Sequence, residues 1–347
     1  MVNLFDLTFG KLPNNFLSRD NLISEICYDF CSEVPSSNLY VISGVRGSGK
    51  TVLLNKVHNM MSEETDWVTV KVNPDRDILE QIAANIYESE SVKHLFLKPS
   101  FSFSFHGLTF SIDGKTPISN IKSLLEKMLI HLKKHNKKLL VSIDEVTNSK
   151  EMKSFAHDFQ SFLGDGYEIF LLMTGLYENI HSLQNNKTLT FLYRAPKIYL
   201  EPLDLIDIFN SYKKIFNDQN ESVIKELTLL TNGYAYAYQL LGSLFTKEEK
   251  ITDKLLEDYD KKLKDYCYDK IYDNIPTSEL ALLKVIPENG KCTSKYIVEN
   301  CSMSIKQISV LKDRLIKRGI LRNQKGVFEI LLPRFTNFIK MNDEFSI

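Results

Sequence analysis

The chain has 347 residues, 43% of them hydrophobic and 25% charged, with a formal net charge of −1. That is the composition of an ordinary globular protein with room for two or three domains. It carries no global basic field, so any surface for nucleic acid must be local. Cys27, Cys31, Cys267, Cys292 and Cys301 are odd in number and contain no CxxC, which reads as reduced thiols in a cytoplasmic setting. The start, "MVNLFDLTFGKLPNNF", lacks the basic beginning and long apolar run of a signal peptide. No apolar run is long enough to span a bilayer, so no membrane partner is expected.

In chain order, residues 1–38 lead in with a turn and an amphipathic helix built on Leu22, Ile23, Ile26 and Phe30. "NLYVIS" then reads as a buried strand, and 51–61 as a helix carrying Val52, Leu53, Leu54, Val57, Met60 and Met61 at helical spacing. Between them Gly44, Gly49, Lys50 and Thr51 satisfy G-x-x-x-x-G-K-[ST]. Glycines let the backbone curl so that its N–H groups face phosphate oxygens. Lys50 brings a cation to the β- and γ-phosphates, Thr51 offers Mg²⁺ a hard oxygen, and the helix adds its positive dipole end. The candidate nucleotide-binding set is therefore Gly44, Val45, Arg46, Gly47, Ser48, Gly49, Lys50, Thr51 and Val52.

"DWVTVKVNP" alternates as a second strand, and "DRDILEQIAANIYES" is a helix capped near Asp75 or Asp77. In 100–115, Phe101, Phe103 and Phe105 alternate with polar residues ahead of Gly107, Leu108, Phe110 and Ile112, a hairpin signal inserted among α/β units. It serves either to pack phenylalanines on the core or to meet a partner. A helix to about residue 138 follows; its His131 and His135 have metal-ligand spacing but no third ligand, and read as a solvated face. "KKLLVSIDEV" is a buried strand ending in Asp144 and Glu145. Asp144 is placed to hold Mg²⁺ through water, and Glu145 to orient or deprotonate an attacking water. "YEIFLLMTG" is a further strand ending at Thr174, and "KIYL" a short one. Strands alternating with helices predict a parallel sheet covered on both faces.

After Pro202 the pattern is helical to about residue 270. From about residue 276, three helices and a strand–Gly turn–strand segment ("ILRNQKGVFEILLPRF") read as a winged helix. The expected divisions are 1–202, an ATPase core; 203–275, a helical lid; and 276–347, the winged helix. The third helix of the last domain carries Lys306, Lys312, Arg314, Lys317 and Arg318 around an apolar face of Ile305, Ile308, Leu311, Leu315 and Ile316. Those cations form a candidate double-stranded DNA contact in the major groove, or else they solvate the helix.

In this order the parts resemble AAA+ P-loop ATPases of the origin-recognition and archaeal-initiator type, and the archaeal and STAND-like ATPases related to them. "SGVRGSGKT" and "LLVSIDEV" are similar to the Walker A and B segments. "FLSRDNLI" resembles F-x-G-R-E-x-E-L, which implies Phe16 and Arg19 near the adenine, with Ser18 and Asp20 departing from the pattern. "LLMTG" resembles a sensor-one strand, with Thr174 near the γ-phosphate, and "FLYRAPKIYLEPL" resembles a segment whose arginine here is Arg194. "TNGYAYAYQLLG" is similar to the lid segment, with Ala235 in place of a proline and no sensor-two arginine. That absence points to the archaeal and STAND-like side. The resemblance implies an α/β P-loop fold, ATP and Mg²⁺ as ligands, and Lys50, Asp144, Glu145, Thr174 and Arg194 as catalytic groups. Arg194 would reach a neighbouring subunit of a homo-oligomer, or pair locally with an acid such as Glu201. Two functions are open: a nucleotide-switched ATPase that binds DNA, or a STAND-type signalling or defence ATPase whose winged helix only packs.

Overall fold

The computed structural model describes residues 4, 5, 7, 15–96, 104, 105, 108, 109, 120–185 and 189–344. In chain order its first strands are β1 (Leu39–Ser43), β2 (Trp67–Val72), β3 (Ser104–Phe105), β4 (Leu108–Thr109), β5 (Lys138–Ile143), β6 (Ile169–Gly175) and β7 (Lys197–Tyr199). Five of them form one sheet in the order β2-β5-β6-β1-β7. The pairs β2 with β5, β5 with β6, and β6 with β1 are parallel. Every residue of β1 and β6 is buried, which is why these strands read as unbroken apolar runs rather than alternating ones. β3 pairs with β4 antiparallel; the rest of the 100–115 hairpin region, with Phe101, Phe103, Phe110 and Ile112, lies outside the described residues.

Helices Lys50–Glu63, Ile78–Glu88, Ile121–Lys134 and Lys150–Gly164 connect the strands. Their starts follow local chemistry: Asp77, Asn120 and Ser149 each accept a backbone N–H of the first turn. The register brings the carboxyl ends of three strands level. Ser43 pairs with Gly175, and Ile143 with Met173. The residues after β1, at the end of β6 and after β5 thus emerge at the same edge, where open α/β sheets bind ligands.

The chain divides into two compact units. The sheet unit holds Arg19–Ser43 and Thr51–Ile198; the helical unit holds Met1–Ser18, Gly44–Lys50 and Tyr199–Ile347. One apolar cluster runs from Ile208 to Ile339 and takes in Phe5 and Val45. Phe5 lies among the rings of Tyr212, Phe216 and Tyr238 and fills the space where a Cβ on Gly242 would stand. The Asn15 carbonyl accepts from Gln239 Nε2 at 2.7 Å. Across residue 275 the Tyr268 hydroxyl donates to the Pro333 carbonyl at 2.6 Å and its ring meets Phe335.

The helical unit runs through Leu205–Ile215, Glu221–Thr231, Ala235–Glu248 and Asp253–Leu263, then a π-helical turn at Lys264–Tyr268. After helix Thr277–Lys284 come β8 (Lys291–Thr293), helices Ser294–Asn300 and Ile305–Lys317, β9 (Leu321–Gln324), β10 (Val327–Ile330) and helix Phe335–Glu344. Ser304 and Gln307 form a capping box at the start of Ile305–Lys317. β10 pairs antiparallel with both β8 and β9; β8 and the last helix add to the elements expected from sequence. No helix among the described residues is long and apolar enough to cross a membrane.

Candidate nucleotide site

Within the helical unit the loop after β1 is tightly curled. Gly47 and Gly49 have φ of 76° and 95°, the left-handed region that glycine enters without steric cost. Lys50 is 8% exposed, and its Nζ donates to the Gly44 and Val45 carbonyls, each at 3.0 Å. The ammonium is thus held inside the loop it serves. Two groups that sequence reasoning missed also touch this loop. The Tyr234 hydroxyl donates to the Arg46 carbonyl at 2.5 Å, and the Tyr236 N–H donates to the Gly47 carbonyl at 3.1 Å. No motif announces them, because a tyrosine in a helical run reads as core.

Within the sheet unit, Asp144 follows β5. Its Oδ2 accepts from Thr51 Oγ1 at 2.7 Å. Its Oδ1 accepts from Thr174 Oγ1 and, at 3.1 Å, from the Glu145 N–H. Thr174 is fully buried at the end of β6. Glu145 is exposed with φ of 54°, an uncommon conformation for a non-glycine residue. Its N–H also lies 3.2 Å from Thr174 Oγ1, and the next N–H, of Val146, donates to the Thr174 carbonyl at 2.8 Å. The structure therefore brings Thr51, Asp144, Glu145 and Thr174 together. Two hard oxygens, from Thr51 and Asp144, face each other, a donor set that fits a divalent cation such as Mg²⁺.

Phe16, Arg19 and Val52 are half-buried, and the Arg19 carbonyl accepts the Ile23 N–H at the start of its helix. Arg194 is exposed at the end of helix Thr190–Arg194 and makes no ion pair among the described residues. Of the five cations on Ile305–Lys317 and its cap, three have partners close by in the chain. Arg318 pairs with buried Glu279 at 2.8 Å and donates to the Asn274 carbonyl. Lys312 donates to Ser294 Oγ at 3.0 Å and lies 4.3 Å from the Phe328 ring centre, and burial lowers its pKa. Lys317 pairs with Asp313 at 2.7 Å. Lys306 and Arg314 are exposed, beside exposed Ile305 and Val310. His131 rests against Phe96, and His135 Nδ1 lies 2.9 Å from the His131 carbonyl.

A parallel sheet, a lysine-bearing glycine loop and an acid at the end of a neighbouring strand define a P-loop ATPase. The chain belongs to the family described as an ATPase domain predominantly from Archaea, whose model matches residues 16–192. It is an ATP-hydrolysing P-loop enzyme. Among solved structures it is similar to a Walker-type ATPase of Pyrococcus abyssi, at 13% identity over 97% of this chain and 99% of that one, with a TM-score of 0.67. It is also similar to the ORC2 protein of Aeropyrum pernix in ADPNP–ADP complexes, at 14% identity over 99% and 98%, TM-score 0.57. The ADP form of that protein gives 15% identity over 98% of each chain, TM-score 0.51. At such identities the likeness is one of fold. No match to the chain was found among curated proteins.

Behind Asp144, His58 Nδ1 lies 2.9 Å from Ser142 Oγ. Burial pushes the imidazole down to about 4, with the Lys71 charge adding to the effect. Between 6.5, its ordinary value, and about 4 the unfolded chain binds a proton that the folded chain refuses. Stability is therefore whole above the upper value and falls as the pH drops through this window, by on the order of 3 kcal/mol. Urea titrations of wild type and His58→Gln at several pH values check this: the wild type shows the slope, and the variant loses that part of it.

Proposed function

We propose that the chain is a nucleotide-switched ATPase in which residues 44–52 bind the phosphates of ATP and Asp144, Glu145 and Thr174 carry hydrolysis. The observation that carries this reading is the Asp144 carboxylate held between Thr51 Oγ1 and Thr174 Oγ1. It joins the residue after the loop lysine to the ends of the two strands where catalytic groups are needed. Lys50 leaves its carbonyl partners for the β- and γ-phosphates. Thr51 and Asp144 would hold Mg²⁺, which when bound supplies positive charge against the phosphate oxygens. Glu145, exposed and fixed by its own N–H, orients or deprotonates the attacking water. Thr174 keeps Asp144 oriented and reads the γ-phosphate side. Phe16 and Arg19 flank the adenine. The cysteines, all free, suit a reducing cytoplasm.

Residues 203–275 act as the lid and 276–347 as a winged helix, a reading supported by the order helix, β8, helix, helix, β9, β10. The first use of that domain is contact with double-stranded DNA through Lys306, Arg314 and Lys317. The second is a STAND-type switch in which the domain packs and binds no DNA. The specific observation favouring the second is that Arg318, Lys312 and Lys317 already have partners within the domain.

Steady-state ATPase assays with Mg²⁺ test the main reading. Lys50→Ala abolishes ATP binding, and Glu145→Gln keeps it while slowing turnover by ~10²-fold or more. A folded Lys50→Ala protein that binds ATP normally would remove the basis of the assignment. Arg194 serves as the group reaching a neighbouring subunit in a homo-oligomer, an exposed arginine with no ion pair among the described residues. Rate per subunit then rises with protein concentration, and mixing Arg194→Ala with Lys50→Ala subunits restores activity; a flat rate and no restoration leave a monomeric switch. For DNA, a gel shift that weakens with salt, and weakens further in Lys306→Glu/Arg314→Glu, supports the first use of the terminal domain. No retardation at low salt supports the packing module.

A further inference from the structure

The phosphate loop is gripped from within the helical unit by two donors. The Arg46 carbonyl accepts from the Tyr234 hydroxyl, and the Gly47 carbonyl accepts from the Tyr236 N–H. Tyr234 is 4% exposed. Beside it is Cys267, which the π-helical turn Lys264–Tyr268 turns into the core and whose charge would add to the rise in the phenol's pKa. Burial holds the phenol far above its usual range, so it remains a proton donor at any physiological pH. The fit leaves no slack. A Cβ on Gly47 would collide with the Tyr234 hydroxyl and stand 3.0 Å from the Tyr236 Cβ.

The direction of these bonds matters more than their strength. In a trans peptide the C=O and the following N–H point opposite ways. A donor fixed on the Arg46 carbonyl therefore turns the Gly47 N–H away from Tyr234. A donor fixed on the Gly47 carbonyl does the same for the Ser48 N–H, which here closes the turn on the Val45 carbonyl at 3.2 Å. Successive N–H groups aimed to one side are what make such a loop an anion nest. Helix Ala235–Glu248 supplies the second donor at no internal cost, since the N–H of Tyr236 lies in its first turn and has no intrahelical acceptor.

We infer that the Tyr234 hydroxyl and the Tyr236 amide are positioning groups for phosphate binding: they preset the 46–48 peptides without touching the nucleotide. This rests on residues 44–51 being the phosphate loop. A phenylalanine at 234 would fill the same space, so the hydroxyl is there for the Arg46 carbonyl. The grip also makes loop and helix Ala235–Glu248 one mechanical piece, so phosphate that reshapes the loop loads that helix.

The test is Tyr234→Phe, which keeps the ring. With one neutral hydrogen bond lost, the KM for ATP and the Kd for ADP rise roughly three- to tenfold. Under the inference kcat stays within about twofold, since no donor to the transferring phosphoryl group is removed. Adenosine affinity, which needs no nest, is unchanged. ADP binding as tight as in the wild type, or a loss confined to kcat, overturns the inference. Should Tyr234→Phe fold poorly, amide exchange in the ligand-free wild type decides: Tyr236 exchanging as slowly as the helix interior upholds the grip, and rapid exchange there overturns it. A wild type that binds no ATP at all strikes the phosphate-loop reading instead, and so is told apart from failure of the grip.

Discussion

The Asp144 carboxylate is the constraint on which the sheet unit's chemistry depends. Its two oxygens take three donors, from Thr51, Thr174 and the Glu145 backbone. An ionised carboxylate with several donors is held in one orientation, because hydrogen bonds to a charged acceptor are stronger than neutral ones. The orientation then fixes its neighbours. Glu145 adopts φ of 54°, a conformation that costs about 1 kcal/mol or more for a non-glycine residue. The compensation is local: the same N–H that requires this turn bonds Asp144 Oδ1 and approaches Thr174 Oγ1. The strained residue is the one whose side chain must leave the sheet edge for solvent.

In the helical unit polar atoms are handled differently. Its core is rich in tyrosine, and four of the buried rings send their hydroxyls to backbone carbonyls. Tyr212 donates to Tyr238, Tyr259 to Leu230, Tyr268 to Pro333 and Tyr234 to Arg46. A buried hydroxyl without a partner is costly, so each such bond admits one arrangement of the ring and excludes its neighbours. These bonds link residues far apart in sequence. The Tyr268 bond crosses residue 275, where turn signals suggest a boundary, and helps the apolar cluster continue through it. The π-helical turn at Lys264–Tyr268 belongs to the same device, since it seats both Cys267 and Tyr268 in the core.

What could be read from the amino-acid sequence was whatever is local and periodic. β1, β5 and β6 are apolar runs closed by Gly44, Asp144 and Gly175, and the loop glycines and Lys50 form a pattern with one chemical meaning. Asp144 and Thr174 could be named because each ends such a run. Other features depend on distant partners. The three residues of β8 have no period to detect, and pair only because β10 lies beside them. Phe5 sits in a segment without pattern, and its place is made by Gly242 and three rings. Arg318 looks the same in sequence whether it faces DNA or Glu279; only the fold brings that buried carboxylate to 2.8 Å. His58 appears as a polar residue on an amphipathic helix until Ser142 is seen beside it.

The charge pattern of the terminal domain bears on how a switch could work here. Glu279 is fully buried, and burial raises its pKa. Arg318 Nε lies 2.8 Å from its Oε2, and the Arg314 charge opposes the rise, so removing Arg318 would leave a buried carboxylate with less compensation. The residue after it, Gly319, has φ of 77°, and a Cβ there would stand 3.4 Å from the Val45 backbone N. Val45 belongs to the phosphate loop and to the apolar cluster of the helical unit. The turn after helix Ile305–Lys317 therefore lies beside Val45, with room for a Cβ at ordinary van der Waals distance from its backbone and side chain. Val45 and the elements after residue 276 share that one apolar cluster, so displacing either from the other exposes apolar surface.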